Sequence, residues 1–148
     1  MKGKVGMSGK RVLIVDDDED MQVLLQTVLE NQEYEVVTAE DGLAALEELE
    51  KSAPDLILLD LMMPRMDGYA FTEELRQRGL QSTIPIIVIS ADVNAKQNTE
   101  QLGADSYIAK PFDVRDLLGE ISHLMEHLIP EEKIQEPQAR GMQKNVME

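Results

Sequence analysis

The sequence predicts an α/β domain built on one doubly wound parallel sheet, with five strands in the order 2-1-3-4-5 and five helices covering it. Two observations support this fold class. Short runs of Val, Ile and Leu alternate five times with segments of helical periodicity, and the connections between them are short. The 148 residues, of which 43% are hydrophobic and 3% aromatic, are enough for one domain with an aliphatic core.

Five short aliphatic runs have the composition of strands that are buried on both faces. They occupy residues 12–15, 36–38, 56–59, 86–89 and 106–109. Four of these runs are followed directly by a polar residue: Asp16, Asp60, Ser90 and Lys110. Because the carboxyl ends of parallel strands meet at one edge of a sheet, we expect these side chains to converge there.

The first two helices are marked by a change of hydrophobic period and by acidic residues at their starts. From Met21 to Leu29 the apolar residues fall at i, i+3, i+4, i+7 and i+8, which indicates one stripe of a helix. The first turn of this helix carries Asp18, and acidic groups are favourable at that position. Asp41 and Gly42 open the second helix.

The remaining three helices differ in the strength of their apolar faces. Asp67 is predicted to cap the third helix, which Gly79 closes. The fourth, at residues 93–102, has almost no apolar face. Asp113 is predicted to cap the last helix, which has a continuous apolar stripe and ends at Pro130.

Composition excludes several classes of function. A formal net charge of −15 repels phosphate backbones and anionic lipid, so direct contact with nucleic acid or membrane is not expected. The sequence contains no cysteine, no signal peptide and no apolar run near the ~20 residues of a membrane span. We therefore expect a cytoplasmic protein with a domain at residues 11–129, a flexible N-terminal arm at 1–10 and a flexible tail at 130–148.

The polar strand ends predict a magnesium-dependent site that accepts a phosphoryl group. In the expected strand order, Asp16 and Asp17 face Asp60 across the crevice between the first and third strands. Three carboxylates repel one another unless a cation neutralises them, and a hard divalent ion such as Mg²⁺ prefers oxygen ligands. One carboxylate could then attack phosphorus, while Lys110 and Ser90 contact the phosphoryl oxygens.

Read in order, these residues resemble the receiver domain of two-component response regulators, a flavodoxin-like fold. The matching stretches are VLIVDD at residues 12–17, DLMMPRMDG at 60–68, VISA at 88–91 and GADSYIAKPF at 103–112. The resemblance covers residues 10–128. It implies a signalling phosphoacceptor, possessing no catalysis beyond its own phosphorylation and dephosphorylation, rather than a classical enzyme.

The resemblance implies a role for each pocket residue. Asp60 takes the phosphoryl group from a phosphohistidine on a sensor histidine kinase or a histidine phosphotransfer protein. Asp17 and Asp60 bind Mg²⁺ directly, Asp16 acts mainly through water, and Met62 offers its backbone carbonyl. Lys110 pairs first with Asp60 and then with the phosphoryl group.

The resemblance also implies a conformational switch. On phosphorylation Ser90 turns inward and Tyr107 follows, which changes the face made by the fourth helix, fifth strand and fifth helix for a downstream protein target. The Lys110–Pro111 peptide bond is expected to be cis. A stand-alone regulator, a phosphorelay member and a piece of a longer regulator all remain open, and the oligomeric state is not predicted.

Three other interpretations fit less well. A phosphatase of the haloacid dehalogenase type requires a second Asp two residues after the nucleophile, and Met62 occupies that position. A flavin-binding module requires a phosphate-binding loop after the first strand, where this chain has acidic residues. A degenerate receiver that serves only for docking is disfavoured because all of the pocket residues are present.

Overall fold

The computed structural model of this chain describes residues 9–92 and 94–127. The expected tail at 130–148, the helix stop at Pro130 and most of the expected arm at 1–10 lie outside the described residues. Lys10, the last residue of that arm, already contacts the sheet, because its carbonyl accepts a hydrogen bond from the Glu35 N–H at 2.7 Å. The domain bounds stay a prediction.

Within the described residues, five parallel strands form one sheet in the order β2-β1-β3-β4-β5, which confirms the predicted fold class. The strands are Arg11–Val15 (β1), Glu35–Ala39 (β2), Leu56–Leu59 (β3), Ile86–Ser90 (β4) and Ser106–Ala109 (β5). Each strand covers its predicted run, with β1, β2 and β4 longer by one or two residues. From β1 the chain moves to one side of the sheet to form β2, and it then crosses to the other side of β1 to form β3. The boundary between β1 and β3 is therefore the switch point of the fold.

Five helices connect and cover the strands in the described part of the chain. They are Glu19–Asn31 (α1), Gly42–Lys51 (α2), Gly68–Gln77 (α3), Ala95–Leu102 (α4) and Val114–His127 (α5). The predicted start of α4 at residue 93 is two residues too early. Asn94 is the residue that precedes this helix, but its side chain makes no capping bond, and the weak apolar face of α4 gives little further indication of where the helix starts.

The predicted starts of α1, α2, α3 and α5 are confirmed by hydrogen bonds in which a carboxylate accepts from backbone N–H groups of the first turn. Asp18 accepts from the N–H groups of Asp20 and Met21, and Asp41 accepts from Ala44. Asp67 caps α3 in the same way, by accepting from Ala70. At the start of α5 the Asp113 carboxylate accepts from the Arg115 N–H at 2.8 Å.

The core has two layers, one on each face of the sheet. In β1 the side chains alternate: Leu13 and Val15 join the cluster under α2, α3 and α4, whereas Val12 and Ile14 join the cluster under α1 and α5. This two-sided burial explains why β1, β3 and β4 are continuous aliphatic runs. The edge strands β2 and β5 are only partly buried, which agrees with their more mixed composition.

No helix among residues 9–92 and 94–127 combines the length and the apolar composition needed to cross a membrane.

Candidate functional site

Three carboxylates meet where β1 and β3 end. Oxygen atoms of Asp16, Asp17 and Asp60 all lie within 4.8 Å of one another. Asp16 and Asp60 are buried, whereas Asp17 is exposed to solvent. The backbone sets this arrangement, because the Asp60 N–H donates to the Val15 carbonyl at 2.9 Å and continues the β1–β3 pairing by one residue. The predicted convergence of these residues is therefore present.

Lys110 is brought to the same site from β5. Its Nζ lies 3.2 Å from Asp16 Oδ2 and 3.7 Å from Asp60 Oδ2. The expected pairing with Asp60 is thus shared with Asp16, which receives the shorter contact. Asp16 also accepts a hydrogen bond from the Asp18 N–H at 2.9 Å, so both of its carboxylate oxygens have partners.

The electrostatics of Asp60 differ from those of an ordinary surface aspartate. Burial raises the pKa of Asp60, and the negative charge of Asp16 raises it further. Lys110 and the Met62 N–H act in the opposite direction, while Asp17 adds a smaller upward contribution, and the pKa stays above its usual value. Excess negative charge in a partly buried site favours a bound cation.

The donor set fits a hard divalent cation. All three side chains in the cluster offer carboxylate oxygens, which are the preferred ligands of Mg²⁺. Neither histidine nor cysteine belongs to the cluster within the described residues, so its chemistry differs from that of zinc or copper sites.

Ser90 and Met62 complete the opening above Asp60. A surface depression is lined by Asp60, Met62, Ser90, Ala91, Asp92 and Lys110. The Ser90 side chain is buried, and its Oγ accepts a hydrogen bond from the Asp92 N–H at 3.1 Å. Met62 is 62% exposed, so its thioether stands at the edge of the opening rather than in the core.

Tyr107 lies on the edge strand β5, three residues before Lys110. Tyr107 is half-buried and packs against the core cluster under α2, α3 and α4. It also lines a surface depression together with Thr99. The Lys110–Pro111 bond that follows β5 is cis, which confirms the expectation.

One glycine and one ion pair of this region were not assigned a role from sequence. A Cβ on Gly68 would lie 2.8 Å from the Asp60 carbonyl oxygen and from Leu61 Cα, so only glycine lets α3 start this close to the site. Asp41 is almost fully buried, and Arg65 Nε donates to its Oδ2 at 2.5 Å. The Asp67-Gly68 dipeptide indicates a turn in the sequence. No local sequence pattern indicates the contact between Asp41 and Arg65, which are 24 positions apart.

Asp41 illustrates a buried carboxylate whose charge is compensated. Burial alone would raise its pKa, but hydrogen bonds from the Ala44 N–H and the Arg65 guanidinium, together with the Arg65 charge, lower the pKa below its usual value. Among the described residues, the groups that lower the pKa of Asp60 are the Met62 N–H and Lys110, and Lys110 is shared with Asp16.

The fold and the site together define a class of protein: a doubly wound α/β domain with a carboxylate cluster, a lysine and a hydroxyl at its switch point. A family model described as the response regulator receiver domain matches residues 12–122. The chain belongs to this family, and its predicted resemblance is confirmed.

Solved structures and curated relatives agree with this assignment. The response regulator TrrA from Thermotoga maritima, solved in complex with Mg(2+)-BeF, is 31% identical with a TM-score of 0.70, covering 78% of this chain and 98% of that one. The chemotaxis response regulator CheY4 of Vibrio cholerae is 30% identical with a TM-score of 0.73, covering 79% and 99%. The alkaline phosphatase synthesis transcriptional regulatory protein PhoP of Bacillus subtilis (strain 168) is 39% identical over 116 residues, which are 78% of this chain and 48% of PhoP. The chain spans about half the length of the curated relatives it matches.

Proposed function

We propose that Asp60 is the phosphoacceptor of a two-component system and receives its phosphoryl group from a phosphohistidine. The donor is a sensor histidine kinase or a histidine phosphotransfer protein. The observation that carries this proposal is the position of Lys110 Nζ, 3.7 Å from Asp60 Oδ2, beside three carboxylates within 4.8 Å of one another. An ammonium group held beside partly buried carboxylates can also neutralise negative charge that develops on a phosphoryl group transferred to one of them.

The reaction forms one bond and breaks another. An Asp60 carboxylate oxygen attacks phosphorus, the P–N bond of the phosphohistidine breaks, and the imidazole nitrogen keeps the electron pair and takes a proton. Lys110 neutralises charge on the phosphoryl oxygens, and the Ser90 hydroxyl donates to one of them. Acyl phosphate formation and its later hydrolysis are the only reactions that we assign to the protein.

Mg²⁺ is the proposed cofactor. Asp17, Asp60 and the Met62 carbonyl would bind it directly, and Asp16 would act mainly through water. The hydrogen bonds that Asp16 already makes, to the Asp18 N–H and Lys110, support its indirect role. When bound, Mg²⁺ supplies the positive charge that lets carboxylates and phosphoryl oxygens come together.

We further propose that phosphorylation changes the α4-β5-α5 face. The Ser90 hydroxyl leaves the Asp92 N–H for the phosphoryl group, and Tyr107 turns toward the vacated space. The small buried part of α4, limited to Ala95 and Thr99, makes this helix easy to shift. A downstream protein target reads the changed surface.

The other parts of the proposal concern partners and location. The relatives named above carry the names of regulators, including a transcriptional one, and this chain matches about half of the length of that relative. We assign no nucleic-acid or membrane contact to the receiver unit because the chain carries a net charge of −15. A cytoplasmic location is part of the proposal, and cell fractionation would test it.

Intact-mass measurement after incubation with acetyl phosphate and Mg²⁺ tests the central step. The wild type should gain one phosphoryl group, and Asp60→Asn should gain none. Asp18→Asn is the matched control, since it removes a neighbouring carboxylate while asparagine remains a good helix cap. It should be labelled like the wild type. Label that persists on Asp60→Asn would move the acceptor to another residue.

A further inference from the structure

The segment between β3 and α3, residues 60–67 (the β3–α3 loop), carries both Asp60 and Met62 and must be held in one conformation for the site to exist. On its inner side the loop is fastened to its own ends. The Met62 N–H donates to Asp60 Oδ1 at 3.3 Å, and the Gly68 N–H donates to the Leu61 carbonyl at 2.9 Å. These bonds close the loop but do not attach it to the rest of the domain.

The outer side of the loop is attached to the turn that starts α2. The Gly42 N–H donates to the Met66 carbonyl at 2.9 Å, and Arg65 Nε donates to Asp41 Oδ2 at 2.5 Å. Arg65 also lies 3.6 Å from Glu40 through Nη2. A Cβ on Gly42 would lie 2.5 Å from Met66 Cγ, so the two segments are in close contact.

Two features indicate that the Arg65–Asp41 pair has a fixed geometry and is not a chance surface contact. Asp41 is 1% exposed and also caps α2 through the Ala44 N–H, so its carboxylate cannot move freely. Arg65 has a backbone φ of +62°, the left-handed region that non-glycine residues adopt at an energetic cost. The loop accepts that conformation at the residue whose side chain reaches Asp41.

We propose that Arg65, through Asp41, is a positioning residue that clamps the β3–α3 loop against α2 and so holds Asp60 and Met62 in register with the carboxylate cluster. The proposal rests on the proposed function for its Mg²⁺ readout. The second readout, amide exchange of the β3–α3 loop in protein without added Mg²⁺, does not depend on the proposed function.

The decisive variant is Arg65→Ala, studied as the full chain at a temperature at which circular dichroism shows every variant folded. Isothermal titration with Mg²⁺ should show binding that is weaker by ~10-fold, the range typical for residues that orient metal ligands. The direction of the change in Mg²⁺ affinity identifies its cause. Removing a positive charge near an acidic site would by itself strengthen cation binding, so weaker binding requires a displaced loop.

Three further variants separate the causes. Arg65→Gly tolerates the left-handed φ but lacks the ion pair, and it should weaken Mg²⁺ binding as Arg65→Ala does. Arg65→Lys keeps the charge and should retain affinity closer to that of the wild type. Arg65→Ala added to Asp41→Asn should cost little more than Asp41→Asn alone, because that pair is already broken.

Arg11→Ala is the matched control. Arg11 Nε also donates to a carboxylate, Glu35, at 2.8 Å, but at the opposite end of β1 from the site. This variant should bind Mg²⁺ like the wild type. Amide hydrogen exchange of the metal-free proteins gives the second readout: residues 61–67 should exchange faster in Arg65→Ala and at the wild-type rate in Arg11→Ala.

The outcomes distinguish the clamp from the proposed function. Unchanged Mg²⁺ affinity in Arg65→Ala, or unchanged exchange of the loop, would overturn the clamp. A wild type that binds no Mg²⁺ would contradict the proposed cofactor instead, and the exchange experiment would still decide whether Arg65 holds the loop.

Discussion

At the scale of single residues, two of the three buried carboxylates of the described residues, Asp41 and Asp60, are in opposite electrostatic situations. Asp41 has its own arginine and a helix N-terminus, and these donors lower its pKa. Asp60 shares one lysine with Asp16, and burial together with the neighbouring negative charge raises its pKa. A compensated carboxylate stabilises structure, whereas an under-compensated one attracts a cation or an electrophile, and that difference separates the structural aspartate from the proposed acceptor.

Lys110→Ala should separate phosphoryl transfer from metal binding. We expect the rate of labelling by acetyl phosphate to fall by roughly 10²-fold, the scale seen when one donor to a developing oxyanion is removed. Mg²⁺ affinity should be unchanged or higher, because the substitution removes a cation from the cluster. Labelling kinetics by mass spectrometry and Mg²⁺ titration measure the two quantities, and a parallel loss of both would contradict this division of roles.

Alanine substitutions at Gly68 and Gly119 compare a glycine in close contact with neighbouring backbone and a glycine with open space around it. Gly68→Ala places a methyl group 2.8 Å from the Asp60 carbonyl oxygen and Leu61 Cα, and we expect it to destabilise the domain by about 1–3 kcal/mol. Nothing lies within 4 Å of a Cβ at Gly119 in α5, so Gly119→Ala should stabilise by about 0.5–1 kcal/mol through helix propensity. Urea denaturation compares them, and equal signs would refute the steric explanation.

At the scale of elements, α4 is attached to the domain differently from the other helices. Its buried residues are Ala95 and Thr99, neither of which supplies a large apolar side chain. Polar contacts hold it instead: Asn98 Nδ2 donates to the Tyr69 hydroxyl of α3 at 2.9 Å, and Gln81 Nε2 donates to the Leu102 carbonyl at its end. A helix held by a few specific bonds can change position when one of them is lost.

Tyr69→Phe should therefore loosen α4 selectively. Loss of a partly buried hydrogen bond costs about 1 kcal/mol, which corresponds to roughly fivefold faster amide exchange if α4 opens locally. Helix α5 in the same sample is the internal control, because its own apolar residues, including Leu117 and Ile121, are buried in the core. Exchange that rises equally in both helices would indicate global destabilisation, and exchange that rises in neither would show that the bond is not needed.

At the scale of the whole molecule, the charge distribution leads us to expect that cation binding stabilises the fold. The chain has a net charge of −15, and the fold concentrates three carboxylates at one edge of the sheet. Folding brings these like charges together at a cost, which a bound divalent cation offsets only in the folded state. Stability should therefore depend on the concentration of Mg²⁺ through linkage.

Mg²⁺ should raise the melting temperature of the wild type. At a hundred times the dissociation constant the folded state gains about 2.7 kcal/mol. Asp17→Ala should remove most of this gain, since Asp17 is the exposed member of the cluster and the proposed direct ligand. Asp18→Asn changes net charge equally outside the cluster and should keep the gain. Differential scanning calorimetry with and without Mg²⁺ measures the effect, and a full gain in Asp17→Ala would show that the site is misassigned.

The sequence by itself determined the secondary structure, the strand order and the convergence of Asp16, Asp17, Asp60, Ser90 and Lys110. The secondary structure follows from local periodicity, and the strand order was predicted from the doubly wound fold class. The convergence follows because parallel strands bring their carboxyl ends to one edge of the sheet. Where such local signals are weak, as at the start of α4, the predicted boundary was two residues early.

Only the tertiary structure decided which side chains meet between segments. The division of Lys110 between Asp16 and Asp60, the Arg65–Asp41 pair and the bond from Asn98 to Tyr69 have no local signature. The physical reason is that periodicity encodes backbone conformation and burial, whereas a contact between two side chains depends on the relative position of two elements to within an ångström or so. Packing of the whole domain sets that position.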